Sequence, residues 1–495
     1  MSEMIGRDKE FRQIINIINN YKNEKNLIII EGDGGTGKTV LLNQLFEYYS
    51  DPQLNNVVTM RFDFRDLHSQ SVYGLNFYSM QTIYNITDEK NTNIFSDSEV
   101  IQFSNYLLSN KLDGNEQQYL DYLGNIFSRL QNFQILLFED TLDGIFNTKS
   151  NYIPLSFKIG ALIPNCTAII AMRPVSTALN NINLIKESLK DNNWNFHKKI
   201  ILNPFNQEKI KKYFKFNNYE IENNFANDLL FLTNGSPIIL SIAIEWELRG
   251  NNLKETCRKL LQKKYSGNQK DLISQFNYII TSPYRKLNKE TDWVILYLAH
   301  LKHRYDRKLF KLLLGLSEEQ INFIENDINK YKFMRKSLIK ENELLHDEIQ
   351  KMINDFAWNI IDSDFGIRLK ITQKAVKLFY EVEIKNLLQK IKSLAPTNVT
   401  DDTKKISARE LIAAWNIFME ISSLFIEMVD YKYMICKYTG TRFNYHDLDK
   451  QIREILNTTQ FVLTNYKISN KVQEEVIYEG LANINPELLL GSKLE

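Results

Sequence analysis

IIIEGDGGTGKTVLLNQL, residues 28–45, sets four glycines (Gly32, Gly34, Gly35 and Gly37) within six positions of a chain that has 18 in 495 residues. The apolar run Leu27–Ile30 leads into them, and the helical pattern Val40, Leu41, Leu42, Leu45 and Phe46 leads out. A strand that turns into a helix through such a segment needs backbone conformations that residues with a Cβ rarely adopt, and glycine supplies them.

Residues 32–39 read Gly-Asp-Gly-Gly-Thr-Gly-Lys-Thr, which satisfies G-x-x-x-x-G-K-[ST] in the strand-to-helix setting that the P-loop requires. Small residues let consecutive N–H groups converge on phosphate oxygens, where the helix N-terminus adds partial positive charge. Gly32, Gly34, Gly35, Thr36, Gly37 and Val40 are therefore candidate nucleotide-binding positions. Lys38 is the candidate ligand of the β- and γ-phosphates and Thr39 the hydroxyl ligand of a metal ion, so the expected cofactors are ATP or ADP with Mg2+.

Such a cradle needs an acidic site at the end of another parallel strand, and Gln134–Asp140, QILLFED, offers one. One carboxylate is expected to hold the metal and the other to orient and deprotonate the attacking water. The sequence leaves the roles open; Asp140 is favoured for the metal and Glu139 for the base, with Asp143 a weaker third acid. Thr167–Met172 reads as a further buried strand ending in Arg173-Pro174. An arginine at that edge of an open α/β sheet faces the ligand crevice, where it can sense a γ-phosphate. Val57–Phe62 and Lys199–Leu202 supply more strands, and strands alternating with helical patterns imply a parallel sheet covered by helices on both faces.

The length exceeds what one hydrophobic core serves, so several modules are expected. A net charge of +1 gives no global pull toward nucleic acid or an anionic membrane. Cys166, Cys257 and Cys436 are far apart and lack metal-ligand spacing, which fits a reducing compartment and a cytoplasmic address. The opening MSEMIGRDKEF has no signal-peptide h-region. The most apolar helical stretch, Leu411–Val429, carries Asn416, Glu420, Ser422, Ser423 and Glu427, which reads as a core-facing helix, with no membrane span expected.

With its motifs in this order, the chain resembles the STAND class of P-loop NTPases, signal-transduction ATPases with numerous domains that include NLR-type immune receptors and bacterial relatives. The resemblance runs from the N-terminus to about residue 360. Ile5-Gly6-Arg7-Asp8-Lys9-Glu10 resembles the hhGRxxE entry segment, which implies that Ile5, Gly6 and Arg7 lie against the adenine. Gly32–Thr39 resembles the Walker A element, Leu136–Asp140 the Walker B element, and Arg173 the sensor-like arginine. Leu232-Thr233-Asn234-Gly235-Ser236-Pro237 is similar to the GxP motif, implying that Pro237 contacts the nucleotide from a small helical subdomain. Gly235 ends the helix Ile221–Leu232 and Pro237 opens another that runs to about Leu248.

Residues from about Glu290 to Phe356 read as three helices, a hairpin over Phe333–Leu345 with a polar break at Glu341-Asn342, and a further helix, like a winged-helix domain. The hairpin exits into Leu345-His346-Asp347, similar to the MHD motif, which implies that His346 binds the β-phosphate of ADP and locks a resting state. The acidic pair is Glu-led where the family's is usually Asp-led, implying slow hydrolysis or exchanged roles. The ATPase elements begin within the first few residues, so no N-terminal effector of the family's kind is expected in this sequence.

The expected layout is an α/β P-loop NTPase core at 1–205, a helical lid subdomain at 206–288, a winged-helix domain at 289–360 and an all-α sensor or scaffold region at 361–495. That last region shows amphipathic patterns at Ala375–Leu388, Leu411–Val429, Leu448–Tyr466 and Val472–Leu481, a break at Ala395–Asn398 and no 34-residue period. Trp415, Phe418 and Phe425 stand at helical spacing and read as core. The resemblance implies an ATP/ADP-dependent switch that rests with ADP, is triggered by a protein or ligand at the C-terminal helices, exchanges nucleotide and forms a homo-oligomer, in anti-phage defence or regulation. One alternative is a DNA-handling ATPase of the origin-recognition type, which would use Lys302-His303-Arg304, Arg307-Lys308 and the stretch Lys330–Lys340. The other is a nucleotide-binding scaffold with negligible turnover. The histidine after the wing favours the switch.

Overall fold

A computed structural model describes residues 6–51, 54, 56–64, 96, 98, 99, 101, 102, 128, 132–142, 157, 160, 161, 163–190, 193–262, 268–301, 305–331, 333–336, 343–362, 366–394, 407–466 and 468–488. Ile5, Asp143, Lys302-His303-Arg304, Glu341-Asn342 and Ala395–Asn398 lie outside the described residues, as do Lys332 and residues 337–340 of the basic stretch.

The N-terminal part is built on helix α1 (Asp8–Asn20), strand β1 (Lys25–Glu31), helix α2 (Lys38–Tyr49) and strands β2 (Val57–Asp63), β3 (Gln134–Asp140), β4 (Cys166–Met172), β5 (Trp194–Phe196) and β6 (Ile200–Ile201). The sheet order is β2-β3-β4-β1-β5, with β6 also beside β1, and every pairing is parallel. The apolar runs that mark these strands are continuous because helices cover both faces. Leu27 and Ile29 join one core layer, while Ile28 and Ile30 join the other with Ile14 and Ile18 of α1 and Leu41, Leu42 and Leu45 of α2. Leu136 and Phe138 also lie in the α2 layer, so the period of two carries Asp140 to that face and Glu139 to the opposite one. The expected Lys199–Leu202 strand is the two-residue β6; β5 is a three-residue strand without the alternation that would have marked it.

Six helices follow among the described residues: Gln207–Phe216, Asn223–Thr233, Pro237–Leu248, Leu253–Gln262, Gln269–Ile280 and the single turn Pro283–Lys286. Asn206 caps the first through a bond from the Lys209 N–H. Asn234 and Gly235 turn the chain at φ +49° and +66° before Pro237 takes the first helical position. Gly235 meets a second demand, because a Cβ there would run into the Phe205 carbonyl oxygen. The Phe205 N–H donates to the Gly235 carbonyl at 2.7 Å, so this corner is pinned to the end of the core.

Helices Glu290–Leu301, Arg307–Leu314 and Glu318–Ile328 precede an antiparallel hairpin of β7 (Met334–Lys336) and β8 (Glu343–Leu345), and helix Asp347–Ile353 leaves it, the element order of a winged helix. Ser317 and Gln320 form a reciprocal capping box at the third helix. The last part consists of Gly366–Ala375, a π-helical turn at Val376–Tyr380, Glu381–Ser393, Ala408–Thr439, Tyr445–Leu463 and Asn470–Ile484. The Ala408–Thr439 helix is long and apolar enough to cross a bilayer, yet 67% of its most apolar window is buried inside the protein. Trp415, Phe418 and Phe425 are in that core. The Tyr431 hydroxyl donates to the Leu301 carbonyl, Lys374 Nζ to the Leu313 carbonyl at 2.6 Å, and His300 Nε2 lies 2.9 Å from the Thr372 hydroxyl. Winged helix and C-terminal helices therefore share one interior.

Candidate nucleotide-binding site

The turn between β1 and α2 ends at Gly37, which caps α2 in the left-handed region at φ +92°. Lys38 opens the helix and folds back over the turn, its Nζ donating to the carbonyls of Gly32 at 2.6 Å and Asp33 at 2.8 Å. The Thr36 hydroxyl donates to the Asp33 carbonyl at 2.9 Å and draws the loop together. Val40 presents its side chain outward, 57% exposed. The Thr39 hydroxyl donates to Asp140 Oδ2 at 2.8 Å across 101 residues of chain.

Left-handed glycines, a helix N-terminus, a buried ammonium and a hydroxyl–carboxylate pair are the donor set that a Mg2+-nucleotide fits. Among the described residues no group of three or more His, Cys, Asp and Glu could hold a metal by itself. An ion at Thr39 and Asp140 would complete its shell with phosphate oxygens and water, as Mg2+ commonly does.

Glu139 is fully buried on the sheet face away from α2. Burial pushes the Cys166 thiol pKa up; Lys25 opposes this, and the Glu139 carboxylate adds to the rise. Thr141, directly after the acidic pair, holds φ +58°, a position costly for a β-branched residue. Its buried hydroxyl has no hydrogen-bond partner among the described residues.

Arg7 is 4% exposed. Its Nη2 donates to the Thr36 carbonyl at 2.8 Å and the Asn203 carbonyl at 2.7 Å, while Nη1 meets Glu10 at 3.3 Å. Its guanidinium lies 5.2 Å from the centre of the Phe205 ring. Burial pulls its pKa below the ordinary arginine value, with Glu10 pulling the other way. Arg7 thus ties the P-loop to the segment that leads into the lid, and Phe205 closes on Gly6 at 3.3 Å from where a Cβ would stand.

Two more contacts reach the loop and a third lies at the end of β4. Ile238, the residue after Pro237, packs so tightly on Gly35 that a Cβ there would collide with its Cγ2. Arg173, one residue past β4, donates to Asp347 Oδ2 at 3.0 Å. Glu348 reaches the P-loop itself, its carboxylate oxygen too close to the Cβ position of Gly34 to leave room for a side chain there. His346 caps the helix that carries both acids, its Nδ1 accepting the Glu348 N–H at 3.2 Å. That bond assigns the ring proton of a neutral imidazole to Nε2, leaving a donor on the other edge. Asp347 and Glu348 therefore reach the site by direct contact, while His346 caps the helix that carries them.

Sequence reasoning brings Lys38, Thr39, Asp140, Arg173, Pro237 and His346 to this region but assigns nothing to Glu348, Ile238 or Thr141. Two carboxylates directly after the histidine were the available signal for Glu348; Ile238 and Thr141 carried none.

No family model and no curated protein matches the chain. Among solved structures it is similar to a signal-transduction ATPase with numerous domains (STAND) that carries a tetratricopeptide-repeat sensor, from Pyrococcus horikoshii, at 14% identity and TM-score 0.44, covering 98% of this chain and 67% of that one. It is also similar to the ORC2 protein of Aeropyrum pernix in ADPNP–ADP complexes, at 12% identity and TM-score 0.33, covering 72% and 94%. A third is Cdc6p of Pyrobaculum aerophilum, at 12% identity and TM-score 0.29, covering 72% and 96%. Likenesses at this level assign no activity. By its own sheet order, strand-to-helix glycine turn and following modules, the chain has an α/β P-loop NTPase core joined to a helical subdomain, a winged-helix element order and an all-α C-terminal region.

Proposed function

We propose that this chain is an ATP/ADP-dependent molecular switch whose closed form is held by the winged helix resting on the P-loop. The observation that carries the reading is that the helix leaving the wing places Asp347 on Arg173 and Glu348 on Gly34. A nucleotide site touched by a second module responds to that module, and the reverse holds by linkage. When bound, a Mg2+-nucleotide supplies phosphoryl charge and a polarising metal at the core.

The chain's own residues take distinct tasks in this reading. Lys38 and the N–H groups leading into α2 hold the phosphates, while Thr39 and Asp140 hold the ion. Glu139, buried on the far sheet face in the closed form, is the candidate base once opening uncovers it, and Arg173 reads the terminal phosphate once released from Asp347. Pro237 and Ile238 bring the lid, with Gly6 and Arg7 on the side of the adenine. His346 offers its Nε2 proton to the β-phosphate.

Lid and wing are coupled. Arg249, at the end of the Pro237–Leu248 helix, bonds Glu245 at 2.9 Å, Asp292 at 2.6 Å and the Tyr331 hydroxyl at 3.0 Å. They move together, so release of the Glu348 contact also withdraws Ile238. The C-terminal helices share a core with the winged helix and are the place for a trigger, of protein or small-ligand class. Opening exposes surfaces for homo-oligomer assembly in the cytoplasm, in a defence or regulatory role. A population moves from 1:99 to 99:1 when nucleotide affinities in the two forms differ by about 5.5 kcal/mol.

Two of the basic residues that the DNA-handling alternative would use, Arg307 and Lys308, are engaged by carboxylates. Arg307 pairs with Glu318 and Glu325, Lys308 with Glu383, and Lys311 with Glu318. The test is to denature the purified protein, identify the released nucleotide by chromatography and measure phosphate release by the native protein. Bound ADP with slow turnover supports the switch. Protein that binds neither ADP nor ATP overturns it, and nucleotide bound without any turnover selects the scaffold.

A further inference from the structure

We propose that Glu348 makes the closed form selective for a nucleoside diphosphate over a triphosphate, assisted by Asp347, which engages the arginine that a terminal phosphate would need. The inference rests on the nucleotide-site reading above and adds a specificity determinant to it.

Charge is distributed unevenly around the P-loop. Its lysine is turned onto the Gly32 and Asp33 carbonyls. The arginine at the end of β4 has a carboxylate 3.0 Å away. Asp140 lies at the Thr39 hydroxyl, and a further carboxylate, that of Glu348, stands against the Gly34 backbone. The glycine turn thus faces an anion delivered by a different module.

A triphosphate carries one more ionised phosphoryl group than a diphosphate. In the closed form that group meets a like charge at Gly34 and an arginine already committed to Asp347. A negative group placed beside another disfavours the charged ligand, which gives specificity through repulsion. The diphosphate, one group shorter, avoids most of that penalty. Binding of a triphosphate then favours a form in which Glu348 has left Gly34 and Arg173 has left Asp347, so one side chain couples ligand choice to wing position.

Gly34 gives the arrangement its geometry. Unlike Gly35 and Gly37, it is not at positive φ, so the missing Cβ serves the approach of Glu348 and not the backbone. The atom that a Cβ would strike is the end of a flexible side chain.

The test measures dissociation constants of the full-length protein for ADP and for a non-hydrolysable β,γ-imido ATP analogue by titration calorimetry. The wild type, Glu348→Gln and Glu348→Asp are compared, with circular dichroism confirming each fold. Glu348→Gln keeps the shape and loses the charge, and it is expected to move the affinity ratio about tenfold toward the triphosphate analogue. Glu348→Asp keeps the charge and is expected to retain the wild-type preference. An unchanged ratio in Glu348→Gln, or the same loss of preference in both variants, overturns the proposal. If Lys38→Ala leaves both affinities intact, the nucleotide-site reading itself fails, whatever Glu348 does.

Discussion

Arg173 and Asp347 stand 174 residues apart in sequence and 3.0 Å apart in space, joining the residue after a core strand to the first residue of the helix that leaves the wing. The pair is partly exposed, 31% and 45% by side chain. Pairs of this kind contribute about 0–1 kcal/mol to stability. Asp347→Asn is therefore expected to change the melting temperature little while loosening the wing. Limited proteolysis should cut the variant faster between core and wing; an unchanged digestion pattern would deny the pair a latching role.

Arg249 is a different case, because its partner Asp292 is fully buried, with side-chain exposures of 9% and 0%. Removing one member of a buried pair leaves the other uncompensated and costs about 3–5 kcal/mol. Arg249→Ala is expected to lower stability by that order in denaturant titration. A loss below about 1 kcal/mol, the range of exposed pairs, would show that lid and wing are not joined there.

Two glycine-to-alanine changes should behave oppositely. Gly235→Ala places a Cβ at φ +66° into the Phe205 backbone, which cannot yield without opening the core–lid corner. The left-handed conformation alone costs about 1–2 kcal/mol, and the collision adds to it. Gly34→Ala strikes only the mobile end of Glu348, so thermal denaturation should show a clear loss for the first and little for the second. Equal losses would contradict the contacts assigned to these two residues.

Acid sensitivity has an identifiable source. Burial acts to raise the Asp362 pKa, but N–H bonds from Arg368 and Ile367 and the Arg368 guanidinium outweigh it, leaving the pKa below the ordinary aspartate value. Glu10 behaves alike: burial raises it, while its backbone hydrogen bond, Lys209 and Arg7 lower it further. A depressed folded pKa gives stability that is present above the unfolded value, about 4 for these groups, and lost as pH falls through the folded one. Denaturant titrations are expected to show stability falling below about pH 4 and a shallower fall in Asp362→Asn. An equally steep fall in that variant would place the effect elsewhere.

Catalysis separates from binding at Lys38 and Glu139. Lys38→Ala is expected to lose nucleotide affinity, whereas Glu139→Gln keeps affinity and loses turnover in a phosphate-release assay. Full turnover in Glu139→Gln would remove this residue from the mechanism.

Local signals made much of this architecture legible. The run Leu27–Ile30, the glycine turn and the apolar pattern after it specify β1, the loop and α2, because each is fixed by neighbours in sequence. The hairpin around Met334 and Leu345 and the Pro237 helix start were readable for the same reason. The Leu411–Val429 pattern marks only the middle of a helix spanning Ala408–Thr439, since its ends are set by the Ser407 cap and the left-handed Gly440 and not by period. Tertiary partners were beyond reach: Arg7 on Asn203, Arg249 on Tyr331 and Glu348 on Gly34 each depend on how separate modules dock. The Thr141 backbone at φ +58° was equally hidden, since nothing local favours a β-branched residue there.

The central claim is that the segment leaving the wing holds bound ADP in place, and the rate of ADP release tests it most directly. His346→Asn keeps a good cap for the helix but withdraws the imidazole, so stability should hold while a fluorescent ADP analogue dissociates about tenfold faster, a change near 1.4 kcal/mol. Release at the wild-type rate from a properly folded His346→Asn protein would contradict the account.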